Sequence, residues 1–235
     1  MNIHHYKTYM TAEMLMGPNS ARILEALWIK HPLQLHPDQR ILDLGCGKGL
    51  TSLILAKETG AKVYANDLWV SAEDNKQRFE DWGVKDQITP VCEDANRLSF
   101  PQKQFDSLVS IDSYHYFATE IGFFETKILP FLKNEAVVLI GIPGVKEAYT
   151  GRSTELLSEW LGNEAYMFKS STEWREIIGN HERMETVETW ELGCFDLAWD
   201  EWFATGHKYA LEDQQFFETL IRPYTCFVGI YIKLK

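Results

Sequence analysis

Short apolar runs and longer amphipathic stretches alternate along the first 145 residues. Between Asn19 and Lys30, the residues Ile23, Leu24, Leu27 and Trp28 recur at helical period and mark one buried face. Arg40-Ile41-Leu42-Asp43-Leu44 is a compact apolar run stopped by glycines, which predicts a buried strand. A helix follows from about Leu50 to Glu58, with Gly60 as its stop. A strand over Ala61–Asn66 comes next, then a helix opening at Ser71, where Ser71-x-x-Asp74 has capping-box form. Further strands are predicted over Ile88–Cys92, Ser107–Ile111 and Ala136–Gly141, with a helix over Glu120–Leu132 before the last of them. Strands joined by helical crossovers pair in parallel, so an α/β fold with a doubly wound, Rossmann-like sheet is expected.

After Pro143-Gly144 the alternation stops, and roughly 40 residues pass before the strand-like run Met184–Glu191. A helix-prone stretch, Phe195–Ile221, then leads to a last strand over Tyr224–Leu234. Five of the eight tryptophans lie in this later part, which reads as insertions folding as a lid over the open end of the sheet. The expectation is one domain over 1–235: a ligand-binding core at 1–145, then lid insertions and the last two strands at 146–235. A chain of 235 residues holds one full core and is short for two.

Composition narrows the function. Hydrophobic residues make up 45% and charged residues 24%, an ordinary globular balance. No apolar run approaches the roughly 18 residues of a bilayer span. The opening Met1-Asn2-Ile3-His4-His5-Tyr6 lacks signal-peptide order, so a cytoplasmic location is expected. The four cysteines are far apart, which fits reduced thiols and neither a zinc site nor a disulfide framework. His4, His5, His31, His36, His181 and His207 have no ligand-like spacing, so no metal is expected. A net charge of −11 disfavours phosphate backbones and shifts the expectation from nucleic acid to a small molecule. Oligomeric state is not fixed by the sequence.

Candidate chemistry starts at Asp43-Leu44-Gly45-Cys46-Gly47-Lys48-Gly49, between the first strand and the next helix. Its glycines let a backbone turn tightly and approach a ligand. Leu50 stands where a further glycine would complete the dinucleotide fingerprint, which makes room for a pyrophosphate. S-adenosylmethionine has no phosphate but carries an ammonium and a sulfonium, and Asp43 suits an electrostatic role beside them, directly or through water. A glycine-rich turn without ligand is the competing reading.

Asp67 ends the second strand, 18 residues after Gly49, where an acid accepts hydrogen bonds from ribose hydroxyls. The competing reading is a turn-forming carboxylate. Leu68 and Trp69 offer a face to adenine, although Trp69 reads equally well as core. Asp94, in Cys92-Glu93-Asp94-Ala95, suits the adenine amino group, with the Ala95 amide donating to a ring nitrogen.

Together these residues resemble the class I S-adenosylmethionine-dependent methyltransferase superfamily, in particular the small-molecule branch that includes quinone-biosynthesis and phosphoethanolamine methyltransferases. Leu42-Asp43-Leu44-Gly45-Cys46-Gly47-Lys48-Gly49 is similar to the family's glycine motif, Asp67 to its ribose-binding acid, and Glu93-Asp94-Ala95 to its adenine-contacting stretch. Ser110-Ile111-Asp112-Ser113-Tyr114-His115 occupies the fourth-strand position whose residues line the transfer site. Met16-Gly17-Pro18-Asn19 resembles a loop near the cofactor in some relatives. The resemblance covers residues 10–145. It implies a seven-stranded sheet with a reversed last strand, cofactor contacts from Asp43, Gly45, Cys46, Gly47, Asp67, Leu68, Asp94, Ala95 and Asp112, and methyl transfer to a small molecule.

A methyl sulfonium is a strong electrophile, so alignment and water exclusion are the protein's main tasks. Where the acceptor must lose a proton, His115 is the candidate base, against a packing histidine in Tyr114-His115-Tyr116-Phe117. Tyr114 is a candidate to orient substrate, and Asp112 lies beside the reacting methyl. The tryptophans of the later part read either as packing, Trp199 and Trp202 lying at helical spacing, or as cation–π walls for a quaternary or protonated amine; the expected acceptor is a small molecule such as an amine or aromatic compound. Rival functions are a non-catalytic S-adenosylmethionine sensor or subunit, a nucleic-acid methyltransferase and a nicotinamide dehydrogenase. The second lacks an Asp/Asn-Pro-Pro-Tyr-type sequence at Asp112, and the third is disfavoured by Leu50.

Overall fold

The computed structural model describes residues 1–235. Seven strands, β1 (Arg40–Leu44), β2 (Lys62–Asn66), β3 (Ile88–Val91), β4 (Phe105–Ile111), β5 (Leu132–Val145), β6 (Met184–Leu192) and β7 (Thr225–Leu234), form one sheet in the order β3-β2-β1-β4-β5-β7-β6. β1 to β5 run parallel, while β7 is antiparallel to both β5 and β6. This is the Rossmann-like arrangement with a reversed last strand that the sequence led us to expect.

Successive side chains of a strand point to opposite faces, so the sheet divides the core in two. Ile41, Val63, Val109 and Leu139 pack with α1 (Ser20–Lys30) and α2 (Leu50–Thr59) on one face. Leu42, Leu108, Val138 and Ile140 face the other, with Phe124, Ile128 and Trp174. α2 is buried continuously from Leu50 to Ala56, which explains why its sequence has no charged face there. α1 meets β5 at Gly141, where a Cβ would lie 2.4 Å from Ile23 Cγ2, so only glycine permits the approach. A third helix, α3 (Ala72–Asp81), opens on Ser71, whose hydroxyl accepts from the Asp74 amide at 3.1 Å.

Two elements differ from the sequence expectation. The helix expected over 120–132 is a π turn at Phe124–Ile128 followed by a 3-10 turn at Leu129–Phe131. Pro130 lacks an N–H and its ring collides with the carbonyl four residues back, so a regular α-helix cannot run through it. β5 is also longer than expected and contains Pro143, because β4 ends opposite Gly141 and the remainder of β5 pairs only with β7.

The later part supplies α4 (Ser153–Leu161), α5 (Ser171–Ile178), α6 (Phe195–Phe203) and α7 (Lys208–Phe216). α5 buries Trp174 in the second core cluster, so it belongs to the helical layer on the sheet. The other three are tied together: Trp160 of α4 and Trp202 of α6 donate their indole N–H groups to the two oxygens of Asp213 on α7, at 3.1 and 3.3 Å. Trp199 and Trp202 are buried, so packing is their structural role. No helix is long and apolar enough to cross a membrane.

Candidate active site

A cavity of about 360 Å³ opens at the carboxyl ends of the parallel strands, where open α/β sheets take their ligands. Its floor is the glycine turn after β1. The Gly45 and Cys46 amides donate to the Asn66 carbonyl at 2.8 and 3.0 Å. The Asn66 side chain in turn exchanges hydrogen bonds with the Glu93 backbone at 3.0 and 2.9 Å. The tips of β1, β2 and β3 are thereby laced into one rigid rim. Gly45 adopts φ +77°, and a Cβ there would sit 1.7 Å from Ser113 Oγ. The glycine is required both by the left-handed backbone and by the tip of β4 pressed against it.

Asp67 is the organising carboxylate. Its Oδ2 accepts from the Gly47 amide at 2.8 Å, and its Oδ1 accepts from the Trp69 and Val70 amides at 2.8 and 2.9 Å. A carboxylate offers about four lone-pair sites, so room for a further donor remains on Asp67, which lines the cavity. The turn-forming and ligand-binding readings of this residue are therefore compatible. A phosphate at the glycine turn would meet this carboxylate on the Gly47 amide, so the turn is unsuited to a dinucleotide.

Asp94 caps the 3-10 turn Ala95–Arg97, accepting from the Asn96 amide and side chain through Oδ1 at 2.9 Å. Those bonds hold its carboxyl below the usual range, and Oδ2 is left uncommitted beside Ala95 on the cavity wall. Leu68 and Cys46 also line the cavity. Trp69 does too: it is 69% exposed, so it is not core, and it meets Tyr116 edge-on at 5.1 Å. Asp112 lines the cavity at φ +54°, close under Gly17, where a Cβ would come within 3.0 Å of Asp112 Oδ2. Burial, with the charge of Asp213 added, pushes its carboxyl up to about 7.

Three expected site residues lie away from the cavity wall. Asp43 is fully buried beneath the glycine turn, where its Oδ2 accepts from Thr51 and Ser52 at 2.7 and 2.5 Å. Burial pushes its carboxyl up to about 6 against the pull of those hydroxyls. Its geometry supports the turn from below; direct contact with a ligand is not available to it. Tyr114 is buried against Phe117, Phe123 and Trp174. His115 is 2% exposed, its ring lies against Tyr116 and Phe168, and its Nδ1 has no partner. The correction to both has one cause: Tyr114–Tyr116 form a 3-10 turn that directs its first two side chains inward and its third, Tyr116, to the cavity.

Burial drives the His115 imidazole down to about 3. A histidine whose folded value lies below its unfolded value of about 6.5 contributes stability above that pH and loses it as pH falls towards 3. His115→Phe should therefore flatten the acid side of the melting-temperature profile between pH 4 and 7, relative to the unaltered protein. Parallel profiles would show that His115 is not held neutral.

The sequence did not single out Met14 and named Phe117 only within an aromatic cluster; both line the cavity from loops, together with Ser113 of the fourth-strand stretch. Met16, Gly17 and Pro18 do line it, as the loop resemblance implied. No group of three or more His, Cys, Asp or Glu side chains is arranged to hold a metal ion.

Comparison with known proteins agrees with this geometry. Residues 41–133 match the family model described as a methyltransferase domain. A geranyl diphosphate C-methyltransferase from Streptomyces coelicolor, crystallised with S-adenosyl-L-homocysteine, superposes with TM-score 0.73 at 17% identity, over 91% of this chain and 78% of that one. A phosphoethanolamine N-methyltransferase of Haemonchus contortus, crystallised with S-adenosyl-L-methionine, gives 0.71 at 20% identity, over 93% of this chain and 54% of that one. A sterol 24-C-methyltransferase of Yarrowia lipolytica is 26% identical over 110 residues, 46% of this chain and 28% of that protein's length. The fold is that of class I methyltransferases. Within it, residues 41–133 are the segment similar to the methyltransferase-domain family, and they include the glycine turn, Asp67, Asp94 and Asp112.

Proposed function

We propose that this protein transfers a methyl group from S-adenosylmethionine to a small-molecule acceptor, either an amine or an aromatic compound. One observation carries the reading: consecutive strand ends bring the Gly45–Gly47 turn, Asp67, Asp94 and Asp112 to one cavity. Its volume suits a small-molecule site, a range of roughly 300–1,000 Å³. Asp67 would hold the ribose, Leu68 and Ala95 the adenine, Asp94 its amino group, and the glycine turn the amino-acid end. When bound, the cofactor supplies a methyl group activated on sulfur.

The chain's own part is to bind, orient and dry the site. Met14, Met16 and Phe117 supply apolar walls that exclude water from the transfer region. For an amine acceptor, Asp112 takes the ammonium proton onto its carboxylate, leaving the nitrogen lone pair free. The proton then passes to solvent after transfer. A carboxyl poised at about 7 suits that task near neutral pH. The ionised form is the acceptor, so the rate should rise through pH 7. Asp112→Asn should slow turnover of an amine by about 10²-fold and remove that limb. An unchanged pH–rate profile in the variant would exclude Asp112 as proton acceptor.

Calorimetry with S-adenosylhomocysteine against NAD is the primary test, with a single-site signal expected for the first alone. A screen of metabolites with radiolabelled cofactor then identifies the acceptor. Cofactor binding without turnover on any pool would favour the sensor reading.

A further inference from the structure

Four carboxylates line the cavity: Asp67, Glu93, Asp94 and Asp112. Three already accept hydrogen bonds within the protein. Asp67 holds three backbone amides, Asp94 caps its own turn, and Glu93 accepts from the amide and hydroxyl of Ser99. Asp112 is the one without a hydrogen-bond partner, held in a left-handed conformation that a non-glycine residue adopts at a cost and that concentrates at functional sites. The lining contains one basic side chain, Lys48, and its ammonium is bonded to the Glu13 carbonyl. The wall therefore carries a half-buried carboxylate with no hydrogen-bond partner and no free side-chain cation beside it, which favours a positively charged ligand.

Aromatic faces stand beside it. Tyr116 and Trp69 both line the cavity, and they remain 43% and 69% exposed in a chain that buries Trp174, Trp199 and Trp202. A second carboxylate contributes from α7. Asp213, whose oxygens are held by the indoles of Trp160 and Trp202, raises the proton affinity of both Asp112 and Tyr116. A carboxylate flanked by exposed rings attracts organic cations through charge and ring quadrupole together.

Resting on the cofactor site proposed above, we infer that the acceptor is an organic cation, an amine carried as its ammonium, held between Asp112 and the rings of Tyr116 and Trp69, and that acceptors bearing a phosphate or diphosphate are rejected. The same wall that recruits the ammonium then contains the group that takes its proton.

Choline and its uncharged isostere 3,3-dimethylbutan-1-ol test the charge requirement at constant shape. With the protein saturated in S-adenosylhomocysteine, calorimetry should show choline binding at least about tenfold more tightly than the alcohol, and no binding of inorganic diphosphate. Asp112→Asn, Tyr116→Leu and Trp69→Leu should each weaken choline by about fivefold or more, and Tyr116→Leu should do so with S-adenosylhomocysteine affinity within about twofold of the parent. Equal affinity for choline and the alcohol, binding of diphosphate, or choline binding indifferent to all three substitutions overturns the inference while leaving the cofactor reading intact. Absence of any S-adenosylhomocysteine signal in the unaltered protein overturns the cofactor reading first, and this inference with it.

Discussion

Asp67→Ala should lower affinity for S-adenosylhomocysteine by about 2–3 kcal/mol, or roughly 30- to 150-fold, since hydrogen bonds to charged groups contribute about 1.5–3 kcal/mol each. Two losses combine in that figure. The ribose loses its acceptor, and the Gly47, Trp69 and Val70 amides lose the carboxylate that fixes the loops around it. Asp67→Asn separates them. An asparagine oxygen can still accept from the Trp69 and Val70 amides, but its NH₂ cannot accept from Gly47 or from a ribose hydroxyl. Isothermal titration on both variants should rank alanine below asparagine and asparagine below the parent. Parent-like affinity in the alanine variant would remove Asp67 from the cofactor site.

Gly45→Ala should be the most damaging single methyl in the molecule. A left-handed φ costs an alanine about 1–2 kcal/mol, and the new Cβ would fall 1.7 Å from Ser113 Oγ and 2.3 Å from its Cβ. Relief of such overpacking by backbone movement costs about 1–3 kcal/mol more. Since about 1 kcal/mol shifts the melting temperature of a chain this size by roughly 2–4 °C, a loss of several degrees and of measurable cofactor binding is expected. The double substitution Gly45→Ala with Ser113→Gly removes the collision and leaves the backbone cost. It should recover about half of the lost stability, and additive effects of the two changes would show that the tip of β4 does not press on the turn.

The convergence of the strand tips on one cavity was legible because each feature is local to a strand end. Glycines after one strand, an acid after the next and Asp94 after the third need only the parallel order to converge, and periodicity supplied that order. Which side chains after β4 reach the cavity was not legible, for a geometric reason. In a three-residue turn, neighbours differ by about 120° in direction, so closeness to Asp112 in sequence did not decide which of Tyr114, His115 and Tyr116 reaches the cavity. Asp43 misled differently: its position before the glycines is right for the site, but strand alternation sends its side chain to Thr51 and Ser52 below the turn. The tryptophans of the later part that helical spacing marks, Trp199 and Trp202, are buried, whereas the exposed rings on the cavity wall are Trp69 and Tyr116 from the first half of the chain. The π turn at Phe124–Ile128 has no sequence signal beyond Pro130.

β7 lies between β5 and β6, paired along its length with both. A nascent chain that has emerged only as far as residue 224 therefore has β6 with no neighbour and one flank of β5 open, two adhesive borders awaiting the same segment. The ten residues from Thr225 act as a keystone: they join β6 to the rest of the sheet, so these two borders stay uncovered until that segment is made.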